Sequence, residues 1–172
     1  MLNLKDKRQL FTVILAALTV LFIFVHSLMA PETSAKESDA VSDVVTDVVV
    51  GVIGNETPTQ VERSERATKF IEENMRKIAH FIEFAVLGSE IALMGYFVFS
   101  DQKKKGYNVS RVRLILISFI FGILIAFADE SLQLASNRGP SVADIWLDVS
   151  GFCALMLPVY LILFAVTRKK FE

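Results

Sequence analysis

Four long apolar stretches, separated by polar segments of contrasting charge, divide the chain. The first, residues 9–29, carries an unbroken apolar or small run from Leu10 to Val25, long enough as a helix to cross the hydrocarbon core of a bilayer. It is longer than the apolar core of a secretory signal peptide, and Leu28-Met29-Ala30 lacks a small residue at both cleavage positions, so an uncleaved anchor is expected. The second stretch covers 78–99 and is entered through Arg76-Lys77-Ile78-Ala79-His80-Phe81-Ile82-Glu83. The third covers 113–128, and its Ser118, Gly122 and Ala126 repeat every four residues, a small-residue face on which membrane helices approach closely. The fourth covers 144–166 and is opened by the Ser141-x-x-Asp144 capping pattern after Pro140. The predicted fold is all-α: a single domain over 1–172, built as a polytopic bundle of four transmembrane helices.

Between the first two stretches, residues 31–75 are polar and acidic, with ten carboxylates against Lys36, Arg63, Arg66 and Lys69. Within this segment Val41, Val44, Val45, Val48, Val49 and Val52 recur at helical spacing, opposite Asp39, Asp43 and Asp47, which predicts a short amphipathic element. Pro58 and Thr59-x-x-Glu62 then predict a new helix start that runs on into the second span.

Charge assigns an orientation. Lys5, Lys7 and Arg8, then Lys103, Lys104, Lys105, Arg111 and Arg113, then Arg168, Lys169 and Lys170 make eleven of the 18 basic residues, and four spans place them all on one side. By the positive-inside rule both termini are cytoplasmic and residues 31–75 are extracytoplasmic. Composition agrees with a cell-membrane protein: 53% hydrophobic residues with 14 Phe is too apolar for an ordinary soluble domain. The lone Cys153 excludes an intramolecular disulfide, and no basic stripe with interleaved aromatics points to nucleic acid. The lipid bilayer is the expected surrounding.

The chemistry concentrates in Phe127–Gly151, FADESLQLASNRGPSVADIWLDVSG, which sets Asp129, Glu130, Gln133, Arg138, Asp144 and Asp148 between two apolar spans. Ionisable groups at that depth must pair, bind or react. Asp129 and Glu130 lie at a helix C-terminus, where the helix dipole disfavours carboxylates, so a partner is expected and Arg138 is the nearest candidate. Asp144 is explained as a helix cap; Asp148, one turn deeper, is expected to pair with His80 or Arg138. On the second span Arg76, His80, Glu83 and Glu90 share one helical face with Lys77 at its edge, and Glu90, the deepest, is expected either buried against Ser118 or simply protonated, with no role assigned. His80, Glu83, Asp129 and Glu130 are the candidates for proton transfer, with Glu83 orienting His80. Lys77, Gln133, Arg138, Asp144 and Asp148 are the candidates for holding a substrate. One histidine among carboxylates leaves magnesium, manganese, zinc or no metal open, and no cofactor is specified.

Val25-His26-Ser27, Arg76-Lys77-x-x-His80-Phe81-x-Glu83-Phe84 with Leu87-Gly88, Asp129-Glu130-x-x-Gln133, Arg138, and Asp144 with Gly151 together resemble the VanZ-like family of bacterial membrane proteins, over about Val25 to Tyr160. Asp148 departs from that pattern, where Asn is expected. The resemblance implies a cell-envelope role linked to teicoplanin resistance in Gram-positive bacteria. On the residues, three readings stand. An outward-facing polar pocket binds or modifies an amphiphilic envelope substrate or drug, such as an anionic lipid or lipid-linked precursor. A small transporter or flippase subunit relays protons along Asp148, Asp129, Glu83 and Glu90. A structural protein acts through partners on its acidic segment.

Overall fold

The computed structural model describes residues 6–28, 44, 47–54, 57–135 and 141–168, which are helical apart from short turns. Four long helices follow in order: α1 (Lys7–Leu28), α2 (Pro58–Lys104), α3 (Arg111–Ala135) and α4 (Val142–Arg168). Each contains a stretch long and apolar enough to cross a membrane: Lys7–Leu28, Asn74–Lys104, Arg111–Gln133 and Val142–Val166. At 1.5 Å per residue even α1 extends about 33 Å, the thickness of a hydrocarbon core. The chain is a multi-pass membrane protein. It divides into two compact units, Met1–Leu28 with His80–Glu172, and Met29–Ala79.

Local sequence sets the helix ends. Asp6 caps α1: its carboxylate accepts the backbone N–H of Arg8 at 2.9 Å and the Arg8 guanidinium at 2.9 Å. The guanidinium holds that carboxyl below its usual range. At the start of α2 the cap is Thr57 rather than the predicted Thr59. The Gln60 N–H donates to the Thr57 hydroxyl, and the Gln60 side-chain oxygen accepts the Thr57 N–H at 2.9 Å. Pro58 thereby takes the first helical position, where its missing N–H costs nothing. α2 ends at Gly106, whose φ of 82° carries a Schellman turn: Gly106 N–H bonds Lys103 C=O and Tyr107 N–H bonds Gln102 C=O, each at 3.0 Å. The hydroxyls of Ser110 and Ser141 accept the N–H groups of Arg113 and Asp144 and start α3 and α4. In the smaller unit residues 47–53 form a helical turn ending at Gly54, with Val48 and Val52 exposed, and Glu62 pairs with Arg66 one turn on.

In the larger unit, α1 turns small and polar residues inward and most of its large apolar residues outward. On α1 the buried positions are Gln9, Thr12, Ala16, Ile23 and Ser27, while Phe11, Leu18, Leu21, Phe22 and Val25 face outward. This is the arrangement expected where lipid is the solvent and small or polar residues hold helices together. Phe84, Leu87, Ile91 and Phe99 of α2 meet Phe152, Met156, Tyr160 and Phe164 of α4 in the core, with Ile23 and Ala126 closing it. Ser118, Gly122 and Ala126 of α3 are buried, as their spacing predicts, and the Ser118 hydroxyl bonds the Tyr160 hydroxyl at 2.8 Å. α2 and α4 come into backbone contact at two glycines. A Cβ on Gly88 would lie 2.1 Å from the Phe152 carbonyl oxygen, and one on Gly151 would lie 2.3 Å from that of Phe81. On α4, Asp148, Gly151, Phe152, Met156 and Tyr160 are buried, whereas Leu155 and Pro158 are exposed. The four-residue repeat of Phe152, Met156 and Tyr160 runs along that buried face.

Candidate functional site

Because the spans alternate in direction, the end of α1, the first turns of the α2 span, the end of α3 and the start of α4 come to one end of the bundle. His80, Asp129 and Asp148 meet there, with only 5%, 0% and 2% of their surfaces exposed. One donor atom from each, a ring nitrogen and two carboxylate oxygens, lies within 4.8 Å of the others.

Asp129 is the most constrained member. One carboxylate oxygen accepts the Ser27 hydroxyl of α1 at 2.6 Å, and the other accepts the Gln133 side-chain amide at 3.0 Å, one turn along α3. The His80 Nδ1 stands 3.7 Å from that second oxygen, in ion-pair range. Asp148 is different: its buried Oδ2 has no hydrogen-bond partner among the described residues. Beside this trio, His26 Nδ1 meets Glu83 Oε1 at 2.7 Å, and the His26 ring stacks on that of His80, with centroids 5.4 Å apart and planes 5° from parallel. Glu130 accepts the Ser141 backbone N–H, tying the end of α3 to the cap of α4. Glu90, buried two turns deeper on α2, accepts the Thr19 hydroxyl at 3.0 Å.

The sequence expectations are met unevenly. His80, Glu83, Asp129, Glu130, Gln133, Asp144 and Asp148 do gather at one end, but their pairings differ from the predicted ones. Glu83 pairs with His26, not with His80, whose ring turns to Asp129 instead. Glu90 meets Thr19, because Ser118 is taken by Tyr160. Arg138, expected to neutralise Asp129 and Glu130, lies outside the described residues; the partners found are Ser27, Gln133 and His80 for Asp129 and the Ser141 N–H for Glu130. Lys77 is exposed on α2, and Asp144 is half-buried with its N–H on Ser141. His26 and Ser27 also belong to the site, though the sequence reading gave them no chemical role; their place at the end of an otherwise apolar span is the signal that finds them.

Two grooves run along the α1–α2 seam. One, of about 440 Å³, is lined by Leu18, Thr19, Phe22, Ile82, Glu83 and Val86, and it brings apolar surface up to the carboxylate that binds His26. The other, of about 350 Å³, is lined by Lys7, Arg8, Phe11, Thr12, Leu93 and Phe97, with the Arg8 guanidinium 5.4 Å from the Phe97 ring. Basic side chains lie on aromatic rings elsewhere at that end: Arg111 sits 5.9 Å from Phe99 and 5.2 Å from Phe164.

The sequence model of the family described as VanZ/LLP1 matches residues 10–164, most of the chain and every helix of the site. Neither a curated protein nor a solved structure matches the chain.

Proposed function

The chain belongs to the VanZ/LLP1 family, and from that premise we propose that it is a cell-envelope protein that binds an amphiphilic envelope molecule or drug. The apolar part lies in the α1–α2 groove and the polar head at Glu83 and His26. The observation that carries this reading is the groove itself: Leu18, Phe22, Ile82 and Val86 form an apolar channel whose polar end is a histidine–carboxylate pair, with His80 stacked behind it. An apolar trough leading to a few convergent polar groups is the usual form of a small-molecule site. Asp129 and Asp148 set two further carboxyl groups behind the pair, so the head that suits it carries hydrogen-bond donors such as hydroxyls or amines. His26–Glu83 and His80–Asp129 are the pairs placed to take and return a proton.

The basic residues Lys7, Arg8, Lys103, Lys104, Lys105, Arg111 and Arg113 support cytoplasmic termini, which puts the polar cluster near the outer membrane face. Teicoplanin resistance follows from this placement if the bound amphiphile is the drug or its lipid-linked target.

Photo-crosslinking with a diazirine-bearing phospholipid, in membranes containing the full chain, tests the groove. Labelling is expected on peptides of α1 and of residues 80–88, and Val86→Trp, which fills the groove, removes it at equal membrane abundance. Glu83→Gln is expected to bring teicoplanin susceptibility of a host expressing the chain back to that of vector-only cells. Labelling unchanged by Val86→Trp rejects the groove as the binding site. Loss of abundance in every variant tested supports a purely structural cluster instead.

A further inference from the structure

We propose that His80, Asp129 and Asp148 bind one divalent transition-metal cation, of the manganese or zinc type. Three elements supply the donors: the imidazole comes from α2, one carboxylate from the end of α3 and the other from the first turns of α4. All three are at least nine-tenths buried, and their donor atoms already lie within 4.8 Å of one another. Donors bound at about 2.1 Å around one ion stand roughly 3 to 4 Å apart, so the 3.7 Å between His80 and Asp129 is already in range and the set needs only a small contraction.

The second observation is the Asp148 carboxylate. It is 2% exposed, no Lys or Arg pairs with it among the described residues, and its Oδ2 lacks a hydrogen-bond partner there. A carboxylate buried beside another carboxylate needs a cation or a proton. The surroundings favour a cation, because they resemble the outer support of a metal site. Ser27 and Gln133 fix both oxygens of Asp129, and the stacked His26, itself held by Glu83, fixes the plane of His80. Such partners orient ligands and raise affinity. One imidazole with two carboxylates is a mixed set that suits manganese or zinc better than calcium, which takes oxygen donors, and three protein donors leave coordination positions for a further ligand. The inference uses the same end of the bundle as the amphiphile-binding reading but does not depend on it. With the ion present, an anionic headgroup also becomes acceptable there.

The test uses the full chain, purified in detergent and stripped with a chelator. Titration with manganese alone, followed by the loss of the free-ion electron paramagnetic resonance signal, is expected to give one bound equivalent. Zinc, followed by calorimetry, is expected to compete for it. Asp148→Asn should weaken manganese binding by more than the roughly 10- to 100-fold typical of losing an outer-sphere partner. Ser27→Ala should fall within that range, and Glu90→Gln, which removes a buried carboxyl outside the trio, should bind as the parent does. Asp148→Cys should lose manganese and gain cadmium, a softer ion, a switch that a merely structural carboxylate cannot produce. Absence of stoichiometric binding of either ion to the parent overturns the proposal, as does parent-like binding by Asp148→Asn. If Asp148→Asn fails to fold, the cadmium-for-manganese switch and the parent titration decide. Failure of metal binding with groove labelling intact removes this inference and leaves the amphiphile reading standing.

Discussion

Gly151→Leu, and separately Gly88→Leu, will prevent the bundle from assembling. A Cβ at either position meets a main-chain carbonyl oxygen of the facing helix, Phe81 in one case and Phe152 in the other, at 2.3 and 2.1 Å. No rotamer change relieves a clash with backbone, so α2 and α4 must move apart along a seam that also packs Phe84 against Phe152 and its neighbours. Overpacking in a dense interior ordinarily costs about 1–3 kcal/mol, and more where backbone must shift. The expected result is loss of monodisperse protein on size exclusion in mild detergent. Alanine at either site should give intermediate yield and a lower thermal midpoint. Gly51→Ala, which meets no atom within 4 Å, should behave as the parent. Parent-like yield and melting for both leucine variants would show that the two helices do not cross where these glycines place them.

Asp129→Ala has the next largest expected effect. It removes the acceptor of the Ser27 hydroxyl of α1 and of the Gln133 amide of α3, and with it the carboxylate facing His80 of α2. Two lost side-chain hydrogen bonds within a membrane protein, at about 0.6–1.7 kcal/mol each, amount to roughly 1–3 kcal/mol. A thermal midpoint measured by intrinsic fluorescence should fall clearly for Asp129→Ala. It should fall less for Asp129→Asn, whose carbonyl can still accept from Ser27. Ser27→Ala together with Asp129→Ala should cost little more than Asp129→Ala alone, since the second change removes a group already without its partner. Full additivity of the two would mean that the hydrogen bond between them contributes nothing.

The bundle was legible in the sequence because lipid imposes a strong pattern: four runs of apolar residues, a small-residue repeat on α3, and Ser141 before the last helix. The gathering of polar residues at one end followed from span direction alone. What eluded the sequence were pairings between helices, which depend on rotation about each axis. His80 and Glu83 lie only about 60° apart around the helix, yet one pairs with Asp129 of α3 and the other with His26 of α1. The buried face of α4 likewise depends on rotation about its axis, and there Phe152, Met156 and Tyr160 repeat every four residues against the core. At the start of α2 two capping patterns overlap, and the proline between the two threonines selects the earlier one, because proline belongs just inside a helix.

Arg111 stands 5.9 Å from Phe99 and 5.2 Å from Phe164, and both rings belong to the buried core. A basic residue at the start of α3 is therefore also part of the packing between α2 and α4. Replacing it would change the charge of the 101–113 loop and the cohesion of the core at once. Topology engineering has a better starting point in Lys104 and Arg113, exposed like Arg111 but over no core ring among the described residues. Charge moved at those two positions reports on threading alone, whereas charge moved at Arg111 reports on threading and core cohesion together.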